Sequence, residues 1–213
     1  MPVTRTLEDG IAVITFDQPP VNGFGIGIRK GLLEAIHASM ADAAVTAVVI
    51  TGGGKMFSGG ADITEFNTPR AEQAPNLHDV IAAIETSRKP IVMAINGTAL
   101  GGGLEVALAA HYRVAQRGAL LGLPEVKIGI LPGGGGTQRL PRAVGLEIAV
   151  NMIVSGEPVP AEHLADTRLL DRVVDAGVVG AAVALAKEVA GNGELPLVRN
   201  LKVEHANAAG FLD

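Results

Sequence analysis

The sequence predicts an α/β protein built around a parallel sheet. Three observations carry the prediction: segments with helical apolar spacing alternate with continuous apolar runs, the runs are too short for helices, and each run ends in a glycine-rich turn. A strand buried on both faces reads as such a run, since neither row of side chains meets water. Ligand sites in sheets of this kind gather at the carboxyl ends of the strands, where the glycine-rich turns would meet.

Taken in order, residues 3–17 read as two short strands turned at Asp9-Gly10, a pair suited to positive φ in a tight hairpin. The turn QPPVNGFG breaks the pattern. Over residues 26–43, Ile28, Leu32, Leu33, Ile36 and Met40 recur at helical spacing, leaving Arg29, Lys30 and Glu34 for the other face. The run at 47–50 is a buried strand closed by three glycines. The loop that follows, TGGGKMFSGGADITEF, reads either as a flexible connection or as a loop approaching a ligand, with Ala61-Asp62-Ile63 opening a short helix whose amides face outward. Residues 67–75 are polar, contain two prolines and read as a mobile loop. Residues 77–87 form a helix stopped before Pro90, and 91–95 a strand ending at Asn96-Gly97. Further on, 145–154 and 161–167 read as helices, 169–174 as a strand and 178–189 as an alanine-rich helix. The expected division is a core over 1–190, with 191–213 a linker or the truncated start of a C-terminal helical region.

Composition narrows the function classes. The 213 residues are 48% hydrophobic and 18% charged, which suits one domain with a core and excludes a disordered chain. The absence of cysteine removes disulfides, thiol nucleophiles and thiolate metal sites, and the five histidines show no zinc spacing, so no metal is expected. A net charge of −5 and few aromatic residues argue against nucleic-acid binding. With neither a signal-like N-terminus nor a long apolar run, the chain is expected to be soluble and cytoplasmic, without a membrane partner. Both nucleotide motifs are missing: no Gly-Lys-Ser/Thr occurs, and Val106 stands where GxGxxG needs its third glycine.

The chemistry concentrates in residues 94–139. Glu105 and Glu125 lie in apolar surroundings, where an ionised carboxylate is costly and either shifts its pKa or finds a partner. The glycines at 101–103 open a helix and can present free backbone N–H groups, and the Gly60-Ala61 turn can present another. Two converging amides make an oxyanion hole worth roughly 3 kcal/mol per donor. Two carboxylates supply a general acid and a general base. The combination points to proton chemistry beside a carbonyl, provided that the two glutamates meet in space. His111 reads as structural, Asp62 as the cap of the short helix, and Arg139 and Arg142 as helix-surface charges or ion-pair partners.

Three ordered stretches, KMFSGGADI (55–63), KPIVMAINGTALGGGLEVALAAHYRVA (89–115) and LGLPEVKIGILPGGGGTQRLPRAVG (121–145), closely resemble the crotonase, or enoyl-CoA hydratase/isomerase, superfamily. They look most like the hydratase/isomerase part of multifunctional β-oxidation enzymes, which carry a 3-hydroxyacyl-CoA dehydrogenase further along the chain. The resemblance implies a spiral of repeated ββα units and an acyl-CoA substrate whose thioester carbonyl is held by the amides of Ala61 and Gly102. Glu105 would activate water for addition at the β-carbon of a trans-2-enoyl-CoA, and Glu125 would handle the α-carbon proton, giving 3-hydroxyacyl-CoA. Lys55, Met56 and Phe57 would lie near the CoA adenine, with Gly60, Asp62, Gly101, Pro124 and Gly133 lining the substrate path. No cofactor beyond the CoA of the substrate is implied, and the partner would be a second and third copy in a homotrimer, or none in a monomer cut from a multifunctional enzyme. Δ3,Δ2-enoyl isomerisation and thioester hydrolysis are alternative reactions on the same oxyanion hole, and an inactive acyl-CoA-binding fragment is the non-enzymatic alternative. One departure from the family pattern is Thr167-Arg168, where a glycine usually ends the helix with a left-handed cap.

Overall fold

The structure is a computed structural model and describes residues 2–203, apart from the side chains of Ala71 and Glu72. Asp9 and Gly10 take φ of +46° and +83°, joining β1 (Val3–Glu8) to β2 (Ile11–Phe16) as an antiparallel hairpin in which Glu8 faces Ile11. Helix α1 (Ile26–Ala41) follows and buries Ile28, Leu32 and Ile36.

A ββα unit then recurs. β3 (Ala47–Gly52) and β4 (Met56–Ser58) lead through α2 (Pro69–Glu72) to α3 (Leu77–Glu85). β5 (Ile91–Ile95) and β6 (Thr98–Leu100) lead to α4 (Gly102–Ala109). β7 (Tyr112–Gln116) and β8 (Leu120–Gly122) lead through a 3-10 turn, Pro124–Ile128, to α5 (Gly136–Val144) and α6 (Leu146–Ser155). Each unit places its first strand in a six-stranded sheet of order β1-β2-β3-β5-β7-β10 and its second in a four-stranded sheet of order β4-β6-β8-β9. The chain closes with β9 (Val159–Pro160), β10 (Arg172–Val174) and α7 (Val178–Val189). From β2 onward the large sheet is parallel, with Val48 beside Ile91 and Val92 beside Tyr112.

The continuous apolar runs have a direct cause. Val48, Ile50, Ile91, Met93 and Ile95 face the core shared with α1, α3 and α4, while Ala47, Val49, Val92 and Ala94 face α7 through Val178, Ala182 and Ala186. Both faces of the large sheet are therefore covered. Every residue of α4 is buried, which explains its small side chains: a Cβ on Gly103 would fall 2.8 Å from the Ser58 carbonyl oxygen on β4.

Four sequence expectations are corrected. The loop at 67–75 contains α2, started by Thr68, whose side chain accepts from Arg70 N, and by Pro69 at the first helical position. The helix expected at 161–167 is only a 3-10 turn, Ala161–Leu164, and the strand expected at 169–174 shortens to β10. Thr167 does not need the left-handed cap: its hydroxyl donates to Leu164 O at 2.6 Å and accepts from Leu169 N at 3.2 Å, turning the chain by side-chain bonding. Beyond α7, Val198 packs into the core from a 3-10 turn, Val198–Asn200. The remainder of the expected linker or helical start, 204–213, lies outside the described residues. Among the described residues no helix is long and apolar enough to cross a membrane.

Asn22 ties the chain before α1 to the segment that leads into the cleft. Its amide donates to Gly53 O at 2.9 Å and Met56 O at 2.8 Å, its carbonyl oxygen accepts from Gln18 N, and its backbone oxygen accepts from Ser58 Oγ. It is buried at φ +51°, a conformation asparagine tolerates better than most residues. Asn22→Ala is expected to lower stability by about 2–4 kcal/mol, read from urea unfolding, because several buried groups lose partners together.

Candidate active site

Two neighbouring ββα units supply the two carboxylates. Glu105 stands in the first turn of α4, after β6; Glu125 stands in the 3-10 turn after β8. A hydrogen bond from Gly101 N to Gly122 O, 2.9 Å, pins the ends of these strands together. Glu125 packs against that junction so closely that a Cβ on Gly101 would lie 3.1 Å from its Oε1. Gly101 also holds φ +51° and ψ −127°, where a side chain is strained. Only glycine satisfies both demands.

The carboxylates are buried unequally in kind. Glu105, 2% exposed, accepts from Gly136 N at 2.8 Å, and the Gly134 amide lies near enough to favour its charge. Burial raises its pKa; the two amides and the charges of Arg139 and His78 pull the other way. Glu125, 9% exposed, has far less support: its Oε2 is buried with no hydrogen-bond partner among the described residues. Burial pushes its carboxyl up to about 7, opposed only by its own backbone amide and reinforced by the charge of Glu105. The two carboxyls are thus held differently, Glu105 by a backbone donor that favours its charge and Glu125 by burial that favours its protonated form, the asymmetry a base and an acid require.

A stability consequence follows from the sign of the shift. Glu125 binds its proton more tightly folded, at about 7, than unfolded, near 4.5, so stability falls as pH rises between these values and stays lower above them. Glu125→Gln, which cannot ionise, is expected to melt roughly 7–13 °C above the parent at pH 8 and level with it near pH 4. Differential scanning calorimetry at the two pH values reads the difference.

Ala61 and Gly102 line the same cleft. A Cβ built on Gly102 would lie 3.3 Å from Ala61 N, and one built on Gly60 3.3 Å from Gly102 N, so the two backbone segments pack closely against each other. Gly102 opens α4, where the first amides lack helical acceptors, and Ala61 N donates to no acceptor among the described residues. Phe24 N to Gly60 O and Gly59 N to Val21 O hold the Gly59–Gly60 turn in place. A cleft of about 430 Å³ opens over both amides and both carboxylates, with Ile63, Phe66, Leu77, Ile128, Ile130 and Leu131 as its apolar wall. The site can therefore hold a carbonyl by two N–H donors and present an acid and a base beside an apolar chain.

The sequence model of the enoyl-CoA hydratase/isomerase family matches residues 6–209. The chain belongs to this family. Among its relatives, the peroxisomal bifunctional enzyme of Danio rerio is 43% identical over 185 residues, 87% of this chain and 26% of that protein. A probable enoyl-CoA hydratase of Bacillus subtilis (strain 168) is 38% identical over 212 residues, 96% of this chain and 82% of the relative. The chain thus spans about a quarter of the length of the bifunctional relatives it matches. Among solved structures, DspI of Pseudomonas aeruginosa superposes with a TM-score of 0.83 at 40% identity, covering 89% of this chain and 74% of that one. An enoyl-CoA hydratase from Bacillus anthracis gives 0.80 at 27% identity, covering 90% and 78%. The spiral of ββα units is the fold that this chain shares with the Bacillus anthracis hydratase and with DspI.

Against the family pattern, Gly60, Ala61, Gly101, Gly102, Glu105, Pro124, Glu125 and Gly133 all line the cleft. Lys55, Met56 and Phe57 do not. Phe57 is corrected: its ring is fully buried, edge-on to Phe16 at 5.3 Å, so its side chain serves the core and only its backbone remains for a ligand. Asp62 sits beside the cleft and caps a further 3-10 turn, Ile63–Glu65, its Oδ1 accepting from Thr64 N. His111 is structural, its Nδ1 accepting from Ile91 N at 3.0 Å. Sequence reasoning does not single out His78, whose Nε2 donates to Gly133 O at 2.9 Å, or the Gly134 and Gly136 amides that hold Glu105. The run of four glycines is the available signal. A Cβ on Gly134 would meet Glu105 Oε2 at 2.7 Å and one on Gly136 would meet Oε1 at 3.0 Å.

Proposed function

We propose that this protein hydrates trans-2-enoyl-CoA thioesters to 3-hydroxyacyl-CoA in fatty-acid β-oxidation, and the observation that carries the proposal is the unequal carboxylate pair beside two unpaired amides. Hydratase and β-oxidation names among the relatives support it. In this reading the thioester carbonyl accepts from Ala61 N and Gly102 N, which stabilise the negative charge that develops on oxygen as the β-carbon is attacked. Ionised Glu105 takes a proton from water while the hydroxyl oxygen bonds to the β-carbon, and protonated Glu125 delivers its proton to the α-carbon. Exchange with solvent returns Glu105 to its ionised form and Glu125 to its neutral form. The apolar wall takes the acyl chain. No cofactor is needed beyond the CoA of the substrate.

The pH dependence has a stated sign. Hydration weakens at low pH as Glu105 protonates and again above about 7 as Glu125 loses its proton. Isomerisation of a 3-enoyl-CoA uses the ionised form of Glu125, which takes a proton from C2 and returns it to C4, so it is a second activity that Glu105 variants would retain.

Exposed Ile63, Ile128 and Leu131 at the cleft mouth favour an additional apolar cover, such as a further copy of the chain in a homotrimer. The cytoplasmic expectation stands beside relatives named for peroxisomes and glyoxysomes, and we place the reaction in whichever of these compartments supplies enoyl-CoA. Loss of the conjugated thioester absorbance of crotonyl-CoA tests the proposal. Turnover at about 1 s⁻¹ or faster supports it; binding of the ester without any loss of absorbance refutes it.

A further inference from the structure

The loop that grips Glu105 is itself held by a buried chain of charges. Arg139, on α5, donates from Nη1 to Gly134 O at 2.8 Å and from Nε to Glu85 Oε1 at 2.9 Å. Its backbone N donates to Gly135 O at 2.9 Å, and a Cβ on Gly135 would fall 2.1 Å from its Nη1, so the guanidinium lies directly against the loop backbone. Glu85, at the end of α3, is 6% exposed at its side chain and gives its other oxygen to Arg199 Nη1 at 3.0 Å. Arg199 comes from the last 3-10 turn, and its side chain is half exposed. A continuous path therefore runs Arg199, Glu85, Arg139, Gly134, Glu105.

We propose that Arg139, braced by Glu85 and through it by Arg199, is a positioning residue for hydration: it fixes the 132–136 loop so that the Gly134 and Gly136 amides hold the Glu105 carboxylate toward substrate. This rests on the hydratase reading above. Only a guanidinium fits the task. Its planar fork serves Glu85 and the Gly134 carbonyl at once, which a lysine ammonium at the same place cannot do. Arg139 touches neither substrate nor reacting atoms; it acts through the loop. The charged groups around this chain are few. Glu105 is faced by Arg139 from α5, His78 from α3 and Glu125 from its 3-10 turn, and Arg139 is faced by Glu85 and Arg199.

The test compares the whole chain with Arg139→Lys, Arg139→Gln and Arg199→Ala, each checked for melting temperature. Crotonyl-CoA hydration is expected to lose about 30- to 100-fold in kcat in both Arg139 variants, with KM within about threefold, as a misplaced catalytic group should produce. Arg139→Gln, which removes the cation, also moves the acid limb of the pH profile upward, whereas Arg139→Lys lowers kcat and leaves that limb in place. Arg199→Ala is expected to lose about two- to fivefold, since Glu85 keeps its inner partner. Folded Arg139 variants with kcat within twofold of the parent and an unmoved pH profile would overturn the proposal. If Arg139→Gln fails to fold, Arg139→Lys decides on the same criteria. Failure of the hydratase reading shows separately, as a parent without turnover. In that case the titration of Glu105, followed by carboxyl ¹³C NMR and assigned with Glu105→Gln, decides the matter: an upward shift in Arg139→Gln sustains the positioning role, and an unchanged titration rejects it.

Discussion

Glu105→Gln and Glu125→Gln are each expected to lower kcat for crotonyl-CoA hydration by about 10²- to 10⁴-fold, with KM within about threefold. The glutamine at 105 keeps a carbonyl oxygen for Gly136 N, so the loop retains its main anchor while the base is lost. The glutamine at 125 fills the same space without ionising and without an acidic proton to deliver. Neither substitution removes an amide of the proposed oxyanion hole or the apolar wall, which is why binding should persist. The two losses should not add in the double variant, because a single concerted step fails when either partner is absent. The variants part on a 3-enoyl-CoA: Glu105→Gln retains the double-bond shift, and Glu125→Gln loses it.

Gly134→Ala is expected to cost about 100-fold in kcat while lowering stability by only about 1 kcal/mol. The backbone at 134 lies outside the positive-φ region, so alanine can adopt it without strain. Its methyl group, however, would sit 2.7 Å from Glu105 Oε2, 2.9 Å from the carboxyl carbon and 3.1 Å from Ile81 Cδ1. Something must move, and the carboxylate, which lines the open cleft, gives way more easily than an isoleucine packed in the core. The expected signature is a large fall in kcat with an almost unchanged urea midpoint. A matched fall in both would mean that the loop, and not the carboxylate, had yielded.

These expectations show which layers of the molecule the sequence discloses. The large sheet is legible because its strands are buried on both faces: in the run Ala47–Ile50 one row of side chains joins the main core and the other meets α7, so no polar row is left. The small sheet is not, since Met56–Ser58, Thr98–Leu100 and Leu120–Gly122 are each three residues long and too short for any periodicity. Turns that depend on one side chain are also hidden, as with Thr167 and Asn22. Within the site, an acidic residue amid apolar neighbours stands out in a sequence, and Glu105 and Glu125 both do so. Their meeting across 20 positions depends on the pairing of β6 with β8, a tertiary fact. The amides of Gly134 and Gly136 and the support from Arg139 are equally tertiary, because a glycine run announces close approach without saying what approaches.

The most direct measurement is the product formed from crotonyl-CoA in D₂O, followed by proton NMR. Addition of water through the two-glutamate site should give 3-hydroxybutyryl-CoA with deuterium at the α-carbon, the thioester intact, and the signal absent from Glu105→Gln and Glu125→Gln. Release of free CoA would assign the oxyanion hole to thioester hydrolysis. Unchanged crotonyl-CoA beside demonstrable binding would contradict a working acid and base in this chain.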